Sequence, residues 1–178
     1  MPDEDEAVAW LRELGAERIA NPGGTLFTHL VRVRELLADW GARPALRQAG
    51  LCHAFYGTDG FATALLPVTR RAELAAAIGT EAEAIVYFYA SFDRTASYPL
   101  FGDGEAAVRD RFTGLVHCPA PSLRRDFAEL TAANELDLAR NDRAFREEYG
   151  AELLSLFGRL RGLLSEPAWR ECRAGLGG

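Results

Sequence analysis

Apolar residues returning every three or four positions, cut at intervals by proline and glycine, are what most constrain this chain: they restrict it to packed amphipathic helices. The clearest case opens at Thr25, a helix-capping residue after the breaker Asn21-Pro22-Gly23-Gly24. Its apolar face is Leu26, Leu30, Val33, Leu37 and Trp40, and Gly41 closes it. Before it, Asp3 with Glu6 forms a capping-box pattern for a first helix that Gly15 ends. After it, Pro44 suits the first turn of a third helix running to about Tyr56, and Gly57 to Pro67 reads as a loop.

The same punctuation continues along the chain. Arg70 to Ile78 reads as a short helix closed by Gly79, and Thr80 with Glu83 reads as the cap of a strongly apolar helix through Phe92. Asp93 to Gly104 is expected to be a loop. Residues 107–118 lose the helical period, and Thr113-Gly114 between two short runs predicts a small β-hairpin. Ser122 starts a helix to about Asn141, Asp142 caps a long one to Leu164, and Glu166-Pro167 restarts a short terminal one. The expected fold is mainly α, a single domain over residues 1–178.

Composition removes whole chemistries. All 20 basic residues are arginine, so no lysine is present to form a Schiff base or to complete a phosphate-binding GxxxxGK[ST] loop. The formal charge of -6 argues against nucleic acid and anionic membrane as partners. No apolar run approaches the roughly 20 residues of a membrane span. Cys52, Cys118 and Cys172 are odd in number and far apart, and the chain opens on acidic residues, which together predict a reducing, cytoplasmic setting.

The informative residues are polar ones on apolar faces. His29 lies in the series Leu26, His29, Val33, Leu36, Trp40, and His53 in the series Leu46, Ala49, His53, Tyr56. Asn134 shares a face with Leu123, Phe127 and Leu130, and Asp137 follows one turn later. Taken singly, each fits a core residue bonded to backbone; together they predict a polar pocket between helices. Two histidines in one cavity suit general acid–base work, with one imidazole as base and the other as acid. Asn134, Tyr56, Thr58, Asp59 and Arg94 are the candidates for binding a small-molecule substrate, and Arg94 makes an anionic one the natural choice.

Thr28-His29-Leu30, the run Ala49 to Gly57, and Thr131 to Asp137 resemble an HD-domain protein in degenerate form. More narrowly, the chain resembles a small, uncharacterised family of HD-like domains in which the second histidine precedes a small residue and a Tyr-Gly-Thr segment, here Tyr56-Gly57-Thr58. The resemblance spans about residues 5–160 and implies an HD-like helical bundle. In the wider superfamily a histidine, a His-Asp pair and a distal aspartate hold a divalent metal for phosphoester hydrolysis or, in a dinuclear iron branch, oxygenation. Here Ala54 stands in place of the paired aspartate, and Asn134 in place of the distal one unless Asp137 fills it by a one-turn shift.

Three functions follow as expectations. The first is an HD-like enzyme using His29 and His53 for hydrolysis, elimination or cyclisation, with a divalent metal optional and no cofactor required. The second is a divalent-metal phosphohydrolase whose ligands would be His29, His53 and Asp137. The third is a non-catalytic ligand- or partner-binding domain. No substrate and no oligomeric state is encoded in a recognisable motif.

Overall fold

The fold is mainly α, as the hydrophobic period requires. A computed structural model describes residues 4–102, 104 and 106–177, and the elements run α1 (Glu4–Glu13), β1 (Ala20–Asn21), β2 (Gly24–Thr25), α2 (Leu26–Asp39), α3 (Pro44–Cys52), α4 (Arg71–Ile78), α5 (Thr80–Ser91), α6 (Arg94–Ser97), β3 (Val108–Arg109), β4 (Val116–His117), α7 (Pro121–Asn141), α8 (Arg143–Arg159) and α9 (Glu166–Leu176). Among the described residues no helix is long and apolar enough to cross a membrane. Asp3, expected to cap α1, lies outside the described residues.

The capping chemistry places the second and eighth helices as expected. Thr25 accepts from Thr28 N, and the Thr28 hydroxyl accepts from Thr25 N, a reciprocal box that fixes the start of α2. Asp142 accepts from Phe145 N at the start of α8. The expected hairpin is also present: β3 pairs antiparallel with β4, Val108 opposite His117 and Arg109 opposite Val116. A second hairpin was not expected. The breaker at residues 21–24 makes the turn between β1 and β2, whose antiparallel pairs are Ala20 with Thr25 and Asn21 with Gly24.

Several boundaries differ from the sequence reading. The eighth helix ends at Arg159 instead of Leu164, and a 3-10 turn follows over Arg161–Leu163. The third helix stops at Cys52 instead of reaching Tyr56, and His53 becomes its C-cap. Thr80 does not cap α5; Gly79, with φ 92°, takes that place, and its carbonyl accepts from Glu83 N. Glu83 is then released to bind Tyr56 and Arg71. Residues 93–104 are not all loop, because Asp93 accepts from Ala96 N and nucleates the single turn α6.

The core sits where α2, α3, α5 and α7 meet. Gly50 on α3 brings α3 against α2: a Cβ there would stand 2.5 Å from Leu37 Cδ1. Phe92 stacks on Phe127 at 4.1 Å, tying the end of α5 to α7. Those contacts bring one face each of α2, α3, α5 and α7 to a common interior, and the polar residues on those faces meet there.

Candidate functional site

His29 is the centre of the site. It is 2% exposed on α2, and its Nδ1 donates to Asp137 Oδ2 at 2.6 Å. The Asp137 carboxylate also receives Arg32 Nε at 2.7 Å and Arg32 Nη2 at 3.0 Å, and Asn141 Nδ2 at 3.2 Å. Burial raises the Asp137 carboxyl, but the hydrogen bonds from His29 and Arg32 outweigh it and hold the group below its ordinary value. It is therefore a carboxylate that accepts, and His29 Nδ1 must be the donor.

His53 is fixed just as firmly by a different group. As the C-cap of α3 it turns Nδ1 onto Gly50 O at 2.8 Å, one of the carbonyls a helix end leaves without a backbone partner. Burial first, and then the closeness of the His29 ring, pushes His53 down to about 3, so the ring is neutral and Nδ1 carries its hydrogen. The two rings stand 5.5 Å apart at 79°.

Both Nε2 atoms then face one point. Asn134 Oδ1 stands 3.0 Å from His29 Nε2 and 3.1 Å from His53 Nε2. In neutral rings whose Nδ1 donates, both Nε2 positions are lone pairs. As placed, the Asn134 oxygen accepts only from a ring nitrogen that carries hydrogen, while its amide nitrogen serves Glu135; turned over, the same amide would give one N–H to each lone pair at the expense of Glu135. Either way two ring nitrogens stand beside each other at a cavity wall, both in contact with Asn134, and burial makes His53 a weak base.

The cavity has a volume of about 280 Å³ and is lined by His29, His53, Thr58, Tyr89, Arg94 and Asn134 among others. Four of the residues predicted to act together, His29, His53, Asn134 and Arg94, are thus joined, and Thr58 is with them. Tyr56 is not: it is buried and its hydroxyl donates to Glu83 at 2.8 Å, away from the lining. Asp59 is not either. It is exposed and accepts from Arg94 N at 2.8 Å, so it holds the start of α6 in place. His117 lies exposed on β4 against Phe88.

The metal set His29, His53 and Asp137 is not assembled. Asp137 reaches His29 on Nδ1, across the ring from the Nε2 that faces His53, and its two oxygens already accept four hydrogen bonds. What faces the two Nε2 atoms is a neutral amide, whereas a hard divalent ion selects carboxylate oxygen. Among the described residues no group of three or more His, Cys, Asp or Glu side chains could hold a metal ion. The residues present do not fit the ion that the HD resemblance implies.

Sequence reasoning missed Tyr89, Glu135 and Asn21, which also line the cavity. Tyr89 sits on α5, so apolar overall that a single hydroxyl carries no signal, yet that hydroxyl is buried with no hydrogen-bond partner among the described residues. Glu135 is nearly as hidden beside Asn134. Burial raises its carboxyl, and Arg94, at 3.6 Å, opposes the rise. Cys52, adjacent to His53, is buried, and burial pushes its thiol upward, which disfavours it as a nucleophile.

No curated protein and no solved structure matches the chain. Over residues 10–94 it is similar to a family described as a domain of unknown function (DUF6817), a stretch that carries His29, His53, Thr58, Tyr89 and Arg94 and ends before Asn134 and Asp137.

Proposed function

We propose that the chain is an HD-like enzyme of small-molecule metabolism in which His29, oriented by Asp137, is the general base and His53 is its neutral neighbour. The observation that carries this reading is a carboxylate bonded to His29 Nδ1 while His29 Nε2 stands at a cavity wall beside Asn134. A carboxylate in that position fixes the tautomer and stabilises the imidazolium formed when Nε2 takes a proton. The order of the polar residues, one histidine on α2, one at the end of α3 and the pair Asn134 and Asp137 on α7, supports the HD-like part.

The steps open to these residues are those of proton transfer. Once bound substrate takes the place of Asn134 at His29 Nε2, that nitrogen removes a proton from a substrate carbon, hydroxyl or attacking water. The positive charge that results lies between Asp137 and the cavity, and the neutral His53 adds no competing charge. Returning that proton to a leaving group completes an elimination, a cyclisation or a hydrolysis. No metal and no cofactor is needed for this sequence, and a cytoplasmic setting belongs to the same reading.

A screen of small esters, lactones and β-hydroxy acids, run with and without a chelator, tests the proposal. The expected result is a turnover that survives chelation and falls at least about 100-fold in His29→Gln, the usual loss when a general base is removed. A turnover unchanged in His29→Gln contradicts the reading. So does one abolished by the chelator and restored by a divalent ion, which would favour the metal phosphohydrolase.

A further inference from the structure

A second cavity adjoins the first. It has a volume of about 620 Å³, within the range of pockets that take small organic molecules, and follows one side of α8, where Phe145, Tyr149, Leu153 and Leu156 make it apolar. Gly60, Arg94, Glu135 and Phe145 line both cavities. The inner, histidine-lined space and the outer apolar groove therefore border one another at Arg94.

Two donors are concentrated at that border. Arg94 meets Glu135 at 3.6 Å, an ion pair too long to be a hydrogen bond. Gly60 leaves the guanidinium its room, since a Cβ there would stand 2.6 Å from Arg94 Nη1. Tyr89, 3% exposed and on the inner wall, carries a hydroxyl whose hydrogen has no acceptor among the described residues. Arg94 acts on the hydroxyl oxygen, by its charge and by a contact outside regular hydrogen-bond geometry, opposing the effect of its burial. A buried O–H without an acceptor beside a guanidinium is matched by an oxyanion.

The size of that anion's charge is also constrained. Glu135 already offsets part of the Arg94 charge, and beyond it the groove carries one carboxylate, Glu152, and one guanidinium, Arg159. The charges of the groove are therefore balanced, and the single guanidinium at the junction, partly offset by Glu135, suits a monoanion better than a dianion. A guanidinium and a hydroxyl side by side suit a carboxylate, whose two oxygens can each accept one donor.

We infer that the substrate is an amphipathic monocarboxylate, its carboxylate held by Arg94 and Tyr89 at the junction, its apolar chain in the groove along α8, and its reacting group turned inward toward His29. The inference rests on the acid–base reading only for that last orientation. The binding arrangement has its own support in the two cavities and the donors between them.

Calorimetric titration of the full chain with straight-chain carboxylates from acetate to decanoate, and with the matching alcohols, tests it. Affinity is expected to rise about fourfold per added methylene until the groove is filled, as burial of each methylene predicts. The acids should bind at least about tenfold more tightly than the alcohols, and that preference should vanish in Arg94→Gln and weaken in Tyr89→Phe, which removes one hydroxyl and leaves the ring packing intact. Leu153→Asp should remove the dependence on chain length while leaving acetate binding in place. Equal binding of acids and alcohols, no dependence on chain length, or tighter binding of alkyl phosphates than of carboxylates overturns the inference. Because these titrations read binding without turnover, they can succeed where the enzyme reading fails. Turnover of an uncharged substrate that depends on His29 would overturn this inference and leave that reading standing.

Discussion

Asp137→Ala is expected to lower the unfolding free energy by about 3–5 kcal/mol, the usual cost of removing one partner from a buried ion pair. Four hydrogen bonds are lost together; Arg32 Nη2 keeps Pro22 O and the Asn141 amide keeps the backbone carbonyl of residue 137, whereas His29 Nδ1 and Arg32 Nε lose the acceptor they had. Arg32 is partly exposed and can turn to water, but the His29 side chain is 3% exposed and cannot. For a chain of this size each kcal/mol corresponds to roughly 2–4 °C of melting temperature, so the loss is readable by thermal or urea unfolding. Asp59→Ala is the matched control. Asp59 is exposed and satisfies a single backbone N–H, that of Arg94, and its loss should cost about 1 kcal/mol or less.

Asp137→Asn separates stability from chemistry. The amide keeps the shape and one acceptor, but its NH2 must face either Arg32 or His29, both of which donate. If it faces His29, the proton is driven from Nδ1 to Nε2, and the nitrogen on the cavity wall is no longer basic. The variant should therefore lose most of its turnover while keeping more of its stability than Asp137→Ala.

Acid is expected to weaken the fold well above the range where carboxylates titrate. His53 is pushed from an ordinary 6.5 down to about 3 in the folded protein, chiefly by burial. The unfolded chain therefore binds a proton that the folded chain refuses, and stability falls as pH drops through that window by about 1.4 kcal/mol per unit, approaching about 5 kcal/mol over its full width. The sign is the opposite of that for a histidine gaining an acidic partner, because here the folded value lies below the unfolded one.

Other buried groups shape the lower end of the profile. Glu129 and Glu135 are raised mainly by burial, so they take up protons more readily when folded and oppose the loss. Asp137 and Asp110 are held low by their hydrogen bonds and add to the loss once the pH falls through the ordinary aspartate range, near about 3.9. Between about pH 6.5 and pH 5 the two aspartates do not contribute, and the comparison with a His53 variant separates its contribution from that of the two glutamates. Urea midpoints across that interval should decline steeply in the natural chain and far less in His53→Gln; equal slopes would remove His53 as the cause.

The helices were legible because their information is local. Thr25 and Asp142 cap where they stand in sequence, and the three- and four-residue period turns His29, His53 and Asn134 inward whatever they meet there. What those residues bond to was not legible. Asp137 lies one turn beyond Asn134, a spacing equally consistent with ligating an ion and with accepting from the far nitrogen of a histidine; only the packing of α7 against α2 decides for the second. Tyr56 follows His53 closely enough to suggest a shared site, but α3 ends at Cys52, and the turn that follows carries Tyr56 to Glu83. Glu83 was free to accept it because Gly79 had displaced the expected cap. Tyr89 could not be picked out at all, since a tyrosine on an apolar helix is usually core, and its lack of a partner is a property of the assembled fold.

For His29 to act as the base, both histidines must be Nδ1–H tautomers with their Nε2 atoms side by side at the cavity. Nitrogen-15 NMR of the imidazoles near neutral pH tests it most directly, because a protonated ring nitrogen and one bearing a lone pair resonate far apart. Two buried rings, each with a protonated Nδ1 and a bare Nε2, and with His53 still neutral when the pH is lowered toward 5, is the result expected. A proton on Nε2 of either neutral ring would contradict the account, since it would remove the base from the cavity wall and break the bond to Asp137 or to Gly50 on which the geometry depends.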